Sequence, residues 1–148
     1  MTKPMQVLLI AAGLVLCATP SFAQSHVGIR AGVSGDPDQF FFGGHIETSP
    51  LMRHVTFRPN VEVGIGDGLT LVALNLEFVY SIPLDRHPWR VYLGGGPAAN
   101  IYSNGDTDVE PGFNFLVGAQ HNRGLFVEFK IGAIDSPDVK FTVGYAFR

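Results

Sequence analysis

The feature that most constrains this chain is a two-residue alternation of apolar and polar side chains that recurs from residue 26 to residue 147. Successive side chains of a β-strand point to opposite faces, so this alternation makes a sheet with two chemically distinct sides. In the stretch 54–65, Val55, Phe57, Pro59, Val61, Val63 and Ile65 share one face, and His54, Thr56, Arg58, Asn60, Glu62 and Gly64 share the other. Residues 140–147 repeat the pattern, with Phe141, Val143, Tyr145 and Phe147 set against Lys140, Thr142, Gly144 and Ala146. Read this way, the chain predicts eight strands, at 26–34, 39–48, 54–65, 69–82, 89–102, 112–120, 125–133 and 139–147. The connections between them are rich in Gly, Pro, Asp and Asn, which supply turn conformations. No helical period, linker or exact repeat interrupts the series.

Nine charged residues fall within the predicted strands: Arg30, Glu47, Arg58, Glu62, Glu77, Arg90, Glu128, Lys130 and Lys140. All nine lie on the polar face. A single closed, two-faced sheet accounts for this, but alternation alone does not say which face is inside. A soluble periplasmic barrel that binds an apolar ligand would be apolar within. A membrane barrel is apolar outside and polar within. Three features favour the membrane arrangement. Ten glycines, among them Gly28, Gly32, Gly96, Gly118 and Gly144, lie on the polar face, and small residues suit the crowded lumen of an eight-stranded barrel. Tyr80, Trp89, Tyr145 and Phe147 near one set of turns, and Phe40, Phe42 and Phe113 near the other, form two apolar-face aromatic rings that match interfacial girdles. Finally, five cationic and four anionic strand residues are close to the balance that a narrow, desolvated interior requires.

The first residues read as a secretory signal. Lys3 is followed by 12 apolar residues from Val7 to Ala18, and Ser21-Phe22-Ala23 places small residues where a signal peptidase reads them. Twelve residues are too few for a membrane helix, which needs about 20. Cleavage is therefore expected after Ala23, giving a signal peptide at 1–23 and a barrel at 24–148. Cys17, the one cysteine, falls in the signal, so no disulfide or cysteine-based metal site is expected in the remainder. A net charge of −3 with no basic stretch argues against a nucleic-acid partner.

The segment Phe141-Thr142-Val143-Gly144-Tyr145-Ala146-Phe147 resembles the terminal strand of small outer-membrane barrels of the OmpX and OmpA membrane-domain kind. As a pattern, the resemblance spans residues 24–148. It implies an all-β, closed antiparallel up-and-down transmembrane β-barrel of about eight strands in a bacterial outer membrane, with both termini in the periplasm. It also implies contact with outer-membrane lipid and lipopolysaccharide, and recognition of the last strand by the barrel-assembly machinery. The family usually closes on an aromatic residue, whereas here Arg148 follows Phe147. Pro59 and Pro97 each remove a ladder donor, and a bulge or local irregularity is expected at both.

Chemistry-bearing motifs are sparse. Lipid A deacylases of this size place a His-x-Ser pair and a Glu near the membrane surface, but the nearest approach here is His54-Val55-Thr56. Gly94-Gly95-Gly96-Pro97 lacks the Lys-Ser/Thr of a phosphate loop. The histidines His26, His45, His54, His87 and His121 fit no metal spacing, and no cofactor is indicated. The reading that follows is a non-enzymatic barrel with a structural, envelope-interaction or minor-permeability role, the alternatives being a membrane-embedded lipid A hydrolase or the soluble ligand binder.

Two sites are expected. Arg30, Glu47, Arg58, Glu77, Arg90, Glu128 and Lys130 share one half of the lumen, and with Glu62 and His45 they should interlock as an ionic network, His45 through a hydrogen bond near Glu47. The odd-numbered connections hold Asp36, Asp38, Asp67, Asp106, Asp108, Glu110, Asp135 and Asp138, without Lys or Arg. The even-numbered ones hold Arg53, Arg86 and Arg123, with Asp85 the one acid. Asp106, Asp108 and Glu110 in the longest connection are the candidate ligands of a weak divalent-cation site that bridges to lipopolysaccharide or an external partner.

Overall fold

The computed structural model describes residues 25–148, so the predicted signal at 1–23 lies outside the described residues. Eight strands follow one another: β1 (His26–Gly35), β2 (Gln39–Glu47), β3 (Val55–Gly66), β4 (Leu69–Pro83), β5 (Trp89–Asn104), β6 (Asp106–His121), β7 (Leu125–Ile134) and β8 (Val139–Ala146). Each pairs antiparallel with the next, and β1 pairs with β8, which closes the barrel. Closure leaves every strand with two neighbours and removes the sheet edges.

The turns follow from their residues. Gly66 pairs with Leu69 across a two-residue hairpin, where Asp67 and Gly68 take φ of 54° and 67°. Two positive φ values define the type I′ turn, whose twist matches that of paired strands, and Asp-Gly is a preferred sequence for it. The two proline sites show an irregularity without a bulge. Pairing of β4 with β5 runs from Thr70–Ser103 to Asn75–Ala98 and resumes at Phe78–Gly95 in unchanged register, so the gap falls opposite Pro97. Pairing of β2 with β3 stops at His45–Asn60, one residue short of Pro59, and the ladder spacing returns where the Thr48 N–H donates to the Phe57 carbonyl. Each proline therefore omits a rung without adding a residue.

The main departure from expectation is the hairpin of β5 and β6. Each strand has 16 residues, twice the length of β8. The segment 103–111, expected as a long loop, is paired strand around a turn at Gly105, whose φ is 80°. Asp106 and Asp108 are thus strand residues and not connection residues. Here Asp106, Asp108 and Glu110 still alternate with Thr107 and Val109. The segment rises beyond the apolar belt, where one face no longer has to be hydrophobic, so the usual periodicity signal fades.

The faces divide as the alternation requires. Phe40, Phe78, Phe115, Phe129 and Phe141 point outward and are exposed, and no Asp, Glu, Lys or Arg occupies an outward strand position among the described residues. The interior holds Arg30, Arg58, Glu62, Glu77, Glu128 and Lys130, all buried. Among the described residues the cluster of buried apolar side chains is small, Val79, Tyr92 and Leu116. Among the described residues the interior is charged and polar, which is the opposite of the apolar lining that the soluble ligand-binding reading requires.

The polarity of the two faces gives a direct test. Val61→Asp would put a carboxylate in lipid and should cost on the order of 2 kcal/mol near mid-membrane. Gln120→Glu, inside and beside Arg90, should be tolerated. Urea titrations of both variants refolded into lipid vesicles measure the difference, and equal tolerance would contradict the assignment of faces.

Candidate functional site

The lumen is a single ionic network. Glu62 on β3 accepts from Arg30 at 3.0 Å, from Lys130 at 3.1 Å and from Lys140 at 2.6 Å. Glu128 on β7 accepts from Arg30 at 3.3 Å, Arg58 at 3.0 Å and the Tyr92 hydroxyl at 2.8 Å. Lys130 stands 2.7 Å from Glu77, so it joins β4 to β7. Towards the end that carries the termini, Glu47 lies 3.6 Å from Arg58 and 2.9 Å from Arg90, and Arg90 also donates to Gln120. The expected members Arg30, Glu47, Arg58, Glu62, Glu77, Arg90, Glu128 and Lys130 are therefore all brought together.

His45 is the exception among them. It is buried without any hydrogen bond at Nδ1, and its ring packs edge-on against Phe126 with centroids 5.3 Å apart. Arg30 and Arg58 lie over or beside the same aromatic cluster, so His45 takes part by packing and not by the hydrogen bond expected of it.

Three contributions to the network go beyond the members expected from the sequence. Lys140 extends the network towards the far end through Glu62. Tyr92 both donates to Glu128 and supports the Arg58 guanidinium, which sits 4.6 Å from its ring centroid. A chain of amides runs beside the charges: Asn114 donates to Asn75 at 2.7 Å, Asn75 to Asn60 at 2.8 Å, and Asn60 to Glu77 at 2.9 Å. Their shared parity with the charged residues was the available signal.

Glycines make room for the large members. Tyr92 pairs across the sheet with Gly118, His45 with Gly28, Phe126 with Gly144 and Phe41 with Gly32. A Cβ at any of these glycines would collide with the ring opposite.

The two ends differ. At the end of the odd-numbered connections the β7–β8 loop turns inward, burying Ser136 and Pro137. Asn100 donates to the Asp135 carbonyl at 2.9 Å and to Ser136 Oγ at 3.1 Å, and the Tyr102 hydroxyl donates to the same carbonyl at 3.0 Å. Beside Phe41, Glu62 and Lys140 the gap left in the lumen has no room for a water molecule. At the opposite mouth a cavity of about 540 Å³ opens beside Glu47, Arg90, Thr56 and Arg148.

The three candidate cation ligands are not convergent. Asp106, Asp108 and Glu110 lie at alternate positions of one strand, where same-face neighbours are about 7 Å apart, so the outer two are separated by about 13 Å. Ca²⁺ takes oxygens at 2.3–2.6 Å. Among the described residues no group of three His, Cys, Asp or Glu is placed to hold a metal ion.

An apolar outer wall around a charged, ion-paired interior is how a transmembrane β-barrel is built. Solved structures agree on the fold. The N-terminal β-barrel domain of Pseudomonas aeruginosa OprF aligns with a TM-score of 0.60 at 14% identity, covering 82% of this chain and 96% of that one. Neisserial surface protein A aligns with a TM-score of 0.66 at 11% identity, covering 83% and 94%. The outer membrane enzyme PagL aligns with a TM-score of 0.52 at 13% identity, covering 83% and 99%. No family model matches the sequence, and no curated protein matches it.

Removing a hub carboxylate tests the network. Glu62→Gln leaves Arg30, Lys130 and Lys140 short of a buried counter-charge and should cost about 3–5 kcal/mol in urea unfolding from vesicles. Adding Lys140→Met should recover part of the loss. A cost below about 1 kcal/mol, as for an exposed pair, would contradict the network's role.

Proposed function

We propose that this chain is a non-enzymatic outer-membrane barrel that serves as a structural anchor at the cell envelope and does not conduct. The observation that carries this reading is the lumen, filled by paired charges from Glu47 at one mouth to Lys140 near the other and capped by the inward β7–β8 loop. Eight strands leave space for side chains but none for a water channel beside them. What the barrel presents outward is the projecting β5–β6 hairpin and an acidic rim that includes Asp36, Asp67 and Asp138. That rim favours cationic partners in the surrounding envelope. The outer-membrane placement is supported by the fold, by the uncharged outward face and by the secretory signal expected at 1–23. The terminal strand, with Phe141, Tyr145 and Phe147 outward, fits the segment that assembly machinery would read.

The likeness to PagL raises the hydrolase reading, since that protein is an outer membrane enzyme. The nearest His and hydroxyl pair here does not support it, because Thr56 is buried in the lumen and not set at the lipid surface. Purified protein in planar bilayers should show no large, stable single-channel conductance. Lipid A from cells with and without expression should have the same mass profile. Open channels would overturn the closed-lumen reading, and a deacylated lipid A would overturn the non-enzymatic one.

A further inference from the structure

We propose that the rim carrying the chain termini is a docking surface for anionic phospholipid headgroups, the occupant being a lipid such as phosphatidylglycerol in the adjoining leaflet. The inference rests on the transmembrane reading and goes beyond the proposed anchoring role. At this end an arginine stands at each junction between strand pairs: Arg53 between β2 and β3, Arg86 between β4 and β5, Arg123 between β6 and β7, and Arg148 at the seam of β8 with β1. The first three are exposed, and among the described residues none of them forms an ion pair. Asp85 is the one acid in these connections, and Glu47 is already engaged by Arg58 and Arg90. Three separated guanidiniums with one counter-charge therefore ring the barrel at headgroup depth.

A second, independent feature fixes the kind of anion. The same connections expose Leu51, Met52 and Leu84, with Met52 67% exposed. Apolar side chains beside unneutralised guanidiniums match a molecule with both a phosphate and acyl chains, where a free inorganic anion offers only the first. The girdle aromatics continue this surface: His54 packs edge-on to Tyr80 at 6.0 Å, and Trp89 to His121 at 5.0 Å. Rings of this amphipathic type settle at the boundary between headgroups and acyl chains. Guanidinium forks engage phosphate oxygens in pairs, and a net positive rim prefers a lipid with net negative charge over a zwitterionic one.

The test uses the full barrel refolded into vesicles of equal parts phosphatidylcholine and phosphatidylglycerol, with insertion checked by a heat-modifiability gel. Spin-labelled versions of each lipid then report which one the barrel immobilises. The wild type should retain phosphatidylglycerol in preference to phosphatidylcholine by about fivefold, the effect of one arginine near a membrane surface. The preference should fall to parity in the triple variant Arg53→Gln, Arg86→Gln, Arg123→Gln. It should also fall in the wild type at high salt, which screens exposed charges and needs no variant to fold. Equal retention of the two lipids by inserted wild type, or a preference that survives both the triple variant and high salt, overturns the proposal while leaving the barrel intact. Failure to insert at all overturns the transmembrane reading and the proposal together.

Discussion

Everything in this barrel depends on keeping nine charges inside a wall that has none outside. A charge taken from water without a partner is destabilising by several kcal/mol, so the lumen has to be arranged as a whole. Glu62 and Glu128 do this by each serving several cations drawn from different strands, so that β1, β3, β7 and β8 are tied across the interior as well as around the wall. Lys130 links both hubs to Glu77 and hence to β4. The outer face then needs no specific contacts. Its Phe, Val, Leu and Ile residues meet lipid, and the backbone is satisfied because the sheet is closed.

The same constraint explains the glycines and the amides. A lumen this narrow holds a ring such as Tyr92 only if the facing position has no side chain, which is why Gly118 lies across from it. The places where charge gives way to Asn60, Asn75 and Asn114 carry side chains that donate and accept at once, so a chain of them ends on Glu77 without adding net charge. At the capped end the loop carbonyl of Asp135 takes over, accepting from Asn100 and Tyr102.

Much of this was legible in the residues. The strand series, the two faces and the gathering of all nine charges on one face follow from period-2 parity, and the glycines, the aromatic girdles and the charge balance on top of it put that face inward. What parity could not give is partner choice around the ring. Arg30 meets Glu128 on β7 and Glu62 on β3, neither on a strand next to its own in the ladder sense that sequence neighbours suggest. His45 looked like a polar neighbour of Glu47, but the space opened by Gly28 and the ring of Phe126 decided its packing. The β5–β6 extension was missed because hydrophobic alternation marks only the portion of a strand that faces lipid. Beyond the belt, hydrogen bonding continues the hairpin with Asp and Thr as readily as with Val. That extension is also what separates Asp106, Asp108 and Glu110, which a loop could have gathered.

The claim on which the account turns is that the apolar face meets lipid all the way round. Trp89 is the one natural tryptophan, so Trp89→Phe gives a silent background into which Phe78→Trp, Phe115→Trp or Phe129→Trp can be placed singly on β4, β6 and β7. Each variant, refolded into vesicles whose acyl chains are brominated near their middle, should lose most of its tryptophan fluorescence. Fluorescence unchanged by the brominated lipid at these positions would mean that the face is packed against protein, and would contradict the account.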